Sequence, residues 1–225
     1  MDAIFYVVDN GIKWRALPAD FPPDSSVFKY FTRWENAGAT QRILDAFRDR
    51  VRLAEDRVAA PSAAVIDSAS VRGAETVGAD TRGYDAGKKV NGRKRHIAVD
   101  TMGLLLAVVV TGAGVQDRDG ARPLLEKLAA SCRRIQLVWA DGGYAGKLVL
   151  WAKETLHLAL TVVKRSDDTK GFTVLLRRWV VERTLAWIAR HRRCVRDCGH
   201  LPAHHEAMVR WTMIRITSKR LAKRV

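Results

Sequence analysis

Hydrophobic positions recur along this chain at two different periods. Over the first 60 residues the period is helical. AIFYVV (3–8) runs into Asn10-Gly11, a helix stop. After the proline-punctuated loop ALPADFPPD, which with its flanks carries Trp14, Leu17 and Phe21, a second helix is predicted. Its Val27, Tyr30, Phe31 and Trp34 share one face, with Ser25 or Ser26 as cap. A third follows Thr40 as cap, with Ile43, Phe47, Val51 and Ala54 at helical spacing. RVAAPSAA (57–64) is a small-residue joint containing proline, and it sets the boundary between a helical region, 1–60, and the remainder, 61–225. Beyond the joint the pattern shortens. AVIDSASV is a β-rich run, and RKRHIAVDTMGLLLAVVVTG reads as two strands around a turn at 100–103, the second fully apolar and so expected at the sheet centre. DRDGARPLLEKLAAS is helical, RIQLVWADGGY is a buried strand entering a glycine turn, LALTVVKR is another strand, and 174–194 is an amphipathic helix. Strands alternating with helices in this order predict a mixed α/β sheet with helices packed on it.

Composition adds bounds. At 225 residues and 48% hydrophobic the chain can bury a real core. No apolar stretch approaches the ~20 residues that span a bilayer, and MDAIFYVVDNGIKW lacks the order of a signal peptide. Cys132, Cys194 and Cys198 are too few to staple a secreted fold, which predicts an intracellular, reduced protein. Charge changes the picture most. The 39 Lys and Arg against 24 Asp and Glu leave +15, and that excess calls for a polyanion. Nucleic acid is favoured over an anionic membrane, because no long basic amphipathic segment with bulky apolar anchors stands alone. The three N-terminal helices are then similar to helix-turn-helix modules; a helical subdomain that only buttresses the rest is the other reading.

Three acids interrupt apolar elements. Asp67 ends AVID; Asp141 ends LVWAD before Gly142-Gly143, where the backbone can turn sharply beside a ligand; Glu182 follows Val180-Val181. Carboxylates at strand ends of an α/β sheet stand where ligands bind, although a single such acid is often only a turn residue. Three together would repel one another without a cation. Hard divalent ions take such oxygen ligands, and a pair about 3.5–4 Å apart can assist phosphoryl transfer.

VIDSASVR, GYDAGKKVNGRKRHIAVDTMGLLLAVVVTGAGVQDRDGA, WADGGYAG and RRWVVERTLAWIARHRR, in this order, resemble the DDE transposases of bacterial insertion sequences, specifically the IS5 family. GIKWRALPADFPP and VFKYFTRWENAG resemble that family's helical N-terminal region. The resemblance implies a ribonuclease H-like catalytic core. It implies Asp67, Asp141 and Glu182 as catalytic ligands of Mg²⁺ or Mn²⁺, two ions, with cleavage of DNA at element ends and strand transfer by the freed 3′-hydroxyl. Terminal inverted repeats and target DNA are the implied partners, a homodimer on DNA the implied assembly, and the bacterial cytoplasm at the nucleoid the implied place. Against the family pattern, the chain starts inside the first helical region, Asp24 stands where tryptophan is frequent, and Leu176 where proline is. RDCGHLP replaces a tyrosine–glutamate pairing, and Leu175 and Ala189 fall where Tyr and Lys accompany the glutamate. These departures carry the alternative, a truncated and catalytically inactive remnant that binds DNA only. A general nuclease of the same fold is a third reading.

Lys88, Lys89, Arg93, Lys94, Arg178, Arg183, Arg190, Arg192 and Arg193 are the candidate phosphate holders. GYDAGKKVNGRKR (83–95) is read as a flexible phosphate-binding loop, against a solvated hairpin arm. Tyr84 and Tyr144 are candidates to stack on bases or simply to pack. Asp117 and Asp119 are expected mainly as helix caps, Asp100 as a turn residue, and Trp179 and Trp187 as anchors of their helix. Cys194, Cys198, His200, His204 and His205 have the look of a zinc set, but C-x3-C is loose spacing and the resemblance does not supply them.

Overall fold

The computed structural model describes residues 1–163 and 179–223. Three helices open the chain: α1 (Asp2–Asn10), α2 (Asp24–Asn36) and α3 (Ala39–Leu53). Gly11 stops α1 with φ 68, a conformation that glycine adopts without a Cβ penalty. The expected serine and threonine caps are not made. Ser25 and Ser26 lie inside α2, which starts behind Pro23, and α3 starts behind Gly38, with Thr40 wholly buried. Tyr30 faces solvent, so Val27 and Phe31 carry α2's buried face.

The sheet contains β1 (Ala63–Arg72), β2 (Gly83–Asp85), β3 (Val90–Asp100), β4 (Leu105–Gly112), β5 (Leu137–Ala140) and β6 (Ala159–Val162). β1 lies between antiparallel β3 and parallel β5; β6 extends β5 in parallel, and β4 extends β3 antiparallel. Helices α4 (Asp117–Ser131), α5 (Lys147–Leu156), α6 (Trp179–Ala189), α7 (Arg192–Val195) and α8 (Pro202–Ala222) complete the described architecture. A mixed sheet with helices on both faces matches the expected α/β class and fits a ribonuclease H-like fold.

Alternation along the strands sorts side chains onto two faces. Ala64, Ile66, Ala98, Val138 and Ala140 pack against α4 and α5. Val65, Ile97, Val99 and Trp139 join a second core with α6, α8 and the N-terminal helices, which contribute Ile4, Val7, Phe31 and Leu44. Trp211 of α8 is the centre of that docking, 5.6 Å from the Phe5 ring and 5.8 Å from Trp34. Polar ties reinforce it: Arg210 meets Glu35, Gln41 and Glu206, and Arg52 of α3 meets Asp100 in the β3–β4 turn. Burial pushes the Glu35 carboxyl above its ordinary value, against the pull of Arg210.

Three expectations need correction. The apolar β4 is an edge strand, with α4 and α8 supplying the burial that its composition demands. Its outer edge is closed by side chains: Val110 N donates to Glu206 Oε1 at 3.2 Å, Lys127 Nζ donates to Val108 O at 3.0 Å, and the two side chains pair at 2.9 Å. The helix expected over 174–194 is two pieces within the described residues, α6 and α7, separated at Arg190-His191; its 174–178 portion lies outside them. Residues 83–95 form a β2–β3 hairpin and the start of the central antiparallel pair, not a loose loop.

Candidate active site

Asp67 sits in β1 opposite Ile97, on the face that carries Val65 and α6. Val65 pairs with Trp139, so Asp67 and Asp141 each stand two residues beyond the same rung of adjacent parallel strands. Such strands are about 4.8 Å apart. Local hydrogen bonds set both carboxylates: Ser68 N donates to Asp67 Oδ1 at 2.8 Å, and Gly143 N donates to Asp141 Oδ1 at 2.8 Å. The second bond caps the short turn Gly142–Tyr144, which explains why two glycines follow the aspartate. Glu182 lies exposed on α6, the helix packed against β1 and β3.

Tyr144 is buried at the foot of this pair. Burial pushes its phenol well above the ordinary range, and the charges of Asp67, Asp117 and Asp141 push the same way. It therefore stays a neutral hydroxyl in an acidic setting, and at 1% exposure it is a packed aromatic. Asp117, first residue of α4, accepts from Ser68 Oγ at 2.8 Å and Lys94 Nζ at 2.9 Å; these bonds outweigh burial and hold its carboxyl below the usual range. Asp119 is exposed and Asp100 is a buried turn residue accepting from Met102 N and Leu104 N.

The chemistry of the donor set suits a hard divalent ion in part: two neighbouring carboxylates share a face, and a third is carried by the helix over it. Among the described residues, no three His, Cys, Asp or Glu side chains are gathered tightly enough to hold a metal. The Cys194, Cys198, His200, His204 and His205 group is no exception. Cys194 is buried with Sγ 3.2 Å from Thr212 Oγ1, and His205 Nδ1 lies 3.3 Å from Asp197. His204 instead packs edge-on against Phe28.

The basic residues divide. Lys88 and Lys89 are exposed at the hairpin tip, Arg190 and Arg192 are exposed around the α6–α7 break, and Arg193 is half-buried with Nη1 donating to Ile12 O. Arg183 is half-buried beneath two tryptophans. Arg93 and Lys94 do not fit the role expected of them. Arg93 is 0% exposed and donates to Asp197, Gly199 O, His200 O and Thr81, while Lys94 is buried against Asp117 and Val115 O. Arg178 lies outside the described residues. Sequence reasoning did not single out Ser68 or the Lys94–Asp117 pair. Their signal is weak, because it depends on β1, β3 and α4 meeting.

Residues 59–215 match the family model described as "Transposase DDE domain", and residues 1–44 match "Putative transposase of IS4/5 family". The chain is also 33% identical over 109 residues to the "Putative transposase for insertion sequence element IS402" of Burkholderia cepacia. That alignment covers 45% of this chain and 51% of the relative, so the chain spans about half the length of that protein. No described helix is long and apolar enough to cross a membrane. With one model matched from residue 59 to 215 and the other over the N-terminal helices, this chain belongs to the IS4/IS5-like DDE transposases.

Proposed function

We propose that this chain cuts DNA at the ends of an insertion sequence and joins the freed end to target DNA. The observation that supports this most is the shared register of Asp67 and Asp141 on the sheet face covered by the helix that bears Glu182. Asp67, Asp141 and Glu182 would hold Mg²⁺ or Mn²⁺, in a two-ion arrangement. When bound, the metal supplies charge neutralisation for the acids and a lowered pKa for the attacking oxygen. The chain's own part is positional. Backbone amides of Ser68 and Gly143 orient the two aspartates, and Tyr144 remains neutral beside them. Lys88, Lys89, Arg190, Arg192 and Arg193 hold the phosphate backbone at the hairpin tip and the α6–α7 break. No side chain is needed as a covalent nucleophile.

In the same reading α1–α3 form the helix-turn-helix-like DNA-binding part, with Lys29, Tyr30 and Arg33 of α2 facing solvent. Two copies act together on paired ends. The test is strand nicking of DNA bearing the element's terminal repeats in Mg²⁺. Nicking is expected from the unmutated chain and is expected to fall by orders of magnitude in Asp67→Ala and Asp141→Ala. Cutting that persists in both variants would overturn the site, and binding without cutting by the unmutated chain would favour an inactive remnant.

A further inference from the structure

We propose that a groove between the β2–β3 hairpin and the segment after α7 holds the duplex backbone about five to seven base pairs from the phosphate that is cut. This rests on the reading that the chain cuts DNA ends, and, Lys89 apart, it uses residues given no role above. The groove has a volume of about 560 Å³, and Arg72, Arg82, Lys89 and Arg196 line it together with Tyr84 and Val195.

Both walls are built firmly. Asp197 bridges to Gly73 at the end of β1, its amide donating to Arg72 O at 2.9 Å and its carbonyl accepting from Ala74 N at 2.7 Å. That pairing brings Arg196 to the end of the strand that carries Arg72, and Arg196 Nη2 donates to Gly73 O at 3.2 Å. The hairpin wall is held by Asp85, which accepts from Ser70 Oγ and Lys88 N. Gly92 of β3 pairs with both Arg72 and Gly83, and a Cβ there would collide with Val71 O and Gly73 N. The wall of Val195 and Arg196 stands on the sheet face that carries Asp67: Arg95, opposite Ala69, donates to Cys194 O at 3.0 Å.

Four cations gather in this groove, and among the described residues none is paired with an acid. Arg82 Nη2 is spent on Ala74 O and Val77 O, which fixes its place without neutralising it. The buried Arg93 and Lys94 of β3, by contrast, have Asp197 and Asp117. Like charges held together favour a repeating anion, and a DNA strand carries one about every 3.4 Å. Tyr84 and Val195, 57% and 58% exposed, offer contact to the sugars between phosphates. Position then follows from the strand. Arg72 lies five residues beyond Asp67 in β1, about 17 Å along it. That length is about five base pairs of duplex, and the reach of an arginine adds roughly two more.

The test uses the full chain without divalent ions, so that cutting plays no part. The probe is a fluorescent duplex carrying the element's terminal repeat and flanking DNA, with single phosphates replaced by neutral methylphosphonates. Neutralising a phosphate about five to seven base pairs from the outer end of the repeat, on one side of it, is expected to weaken binding by the unmutated chain on the order of three- to ten-fold. The same replacement is expected to cost Arg72→Ala less than about two-fold, because that contact is already gone. The Arg72 side chain is exposed, so the variant is expected to fold, and Arg72→Lys is expected to restore the sensitivity. Neutralising the phosphate at the end itself is expected to weaken every one of these chains alike. Insensitivity of the five-to-seven phosphates in the unmutated chain would overturn the proposal, as would equal sensitivity in Arg72→Ala. If the unmutated chain failed to bind the duplex, the DNA reading itself would fall; if it bound with its sensitive phosphates elsewhere, only the groove would.

Discussion

Two short runs of the sequence look interchangeable: RKRH at 93–96 and RHRR at 190–193. The first lies in β3 and is buried throughout. Arg93 and Arg95 point toward α7 and the chain after it, where they hold Asp197, Gly199 O, His200 O and Cys194 O, while Lys94 and His96 face α4. The second straddles a helix break, with Arg190 and Arg192 in solvent. Both contribute equally to the net charge, but only the second is available to a polyanion. The β3 cations act as an internal latch that fixes the segment joining α7 to α8 on the sheet. A basic residue in a central strand must find carboxylates and carbonyls, because an uncompensated buried charge costs several kcal/mol. One at a helix break has water.

Truncation should separate the two runs most strongly in stability. Arg93→Ala leaves buried Asp197 with His205 and the Gly199 amide but without its buried cation, and an unfolding loss of about 3–5 kcal/mol is expected in denaturant titration. Arg190→Ala should stay within about 0.5 kcal/mol of the unmutated chain. Equal small effects would erase the distinction.

The second difference is in pH. Burial, chiefly, lowers the His96 pKa from 6.5 to about 4; its neighbours are Thr111 at 3.0 Å, Gly120, Asp117 and Lys94. The folded state therefore keeps His96 neutral where the unfolded chain binds a proton. Stability should decline as pH falls from about 6.5 toward 4 by roughly 1–3 kcal/mol, then show no further loss from this group. His96→Gln should flatten that part of the profile, measured as unfolding midpoint against pH.

The smallest effect is expected in DNA binding. Removing Arg190 and Arg192 together should reduce the slope of log affinity against log salt by roughly 1.8, about 0.9 per lost phosphate contact, with duplex affinity followed by anisotropy. An unchanged slope would show that the exposed run, like the buried one, does not touch phosphate.

Much of this arrangement could be read from residue order. Short β-rich and apolar runs bounded by turn residues located β1, β3, β4 and β5, and the Asn10-Gly11 stop located the end of α1. The acids at 67 and 141 stood out because each closes an apolar run, and strand register then brings them to equivalent places. The position of β4 was not legible, because an apolar strand buried by helices at an edge has the composition of a central one. α8 was missed for a related reason. Buried residues occupy nearly every position from 207 to 214, so no one-sided stripe betrays a helix. The fate of Arg93 and Lys94 depended on partners more than 100 and about 20 residues away, Asp197 and Asp117, and charge counting sees neither. Nor could spacing tell whether Glu182 closes on the aspartates, since it rides a helix whose seating is set by Thr184 on Gly103 O.

The Glu206–Lys127 clasp on β4 has a consequence for how copies of this chain can meet. An open strand edge would let a second molecule anneal to it and continue the sheet, with a register set only by backbone groups. Here the outward amide of Val110 and carbonyl of Val108 are already spent on side chains from α8 and α4. Annealing of a further strand along the Val108–Val110 stretch of this border would first have to displace both side chains, so this part of the sheet is closed by chemistry rather than by bulk.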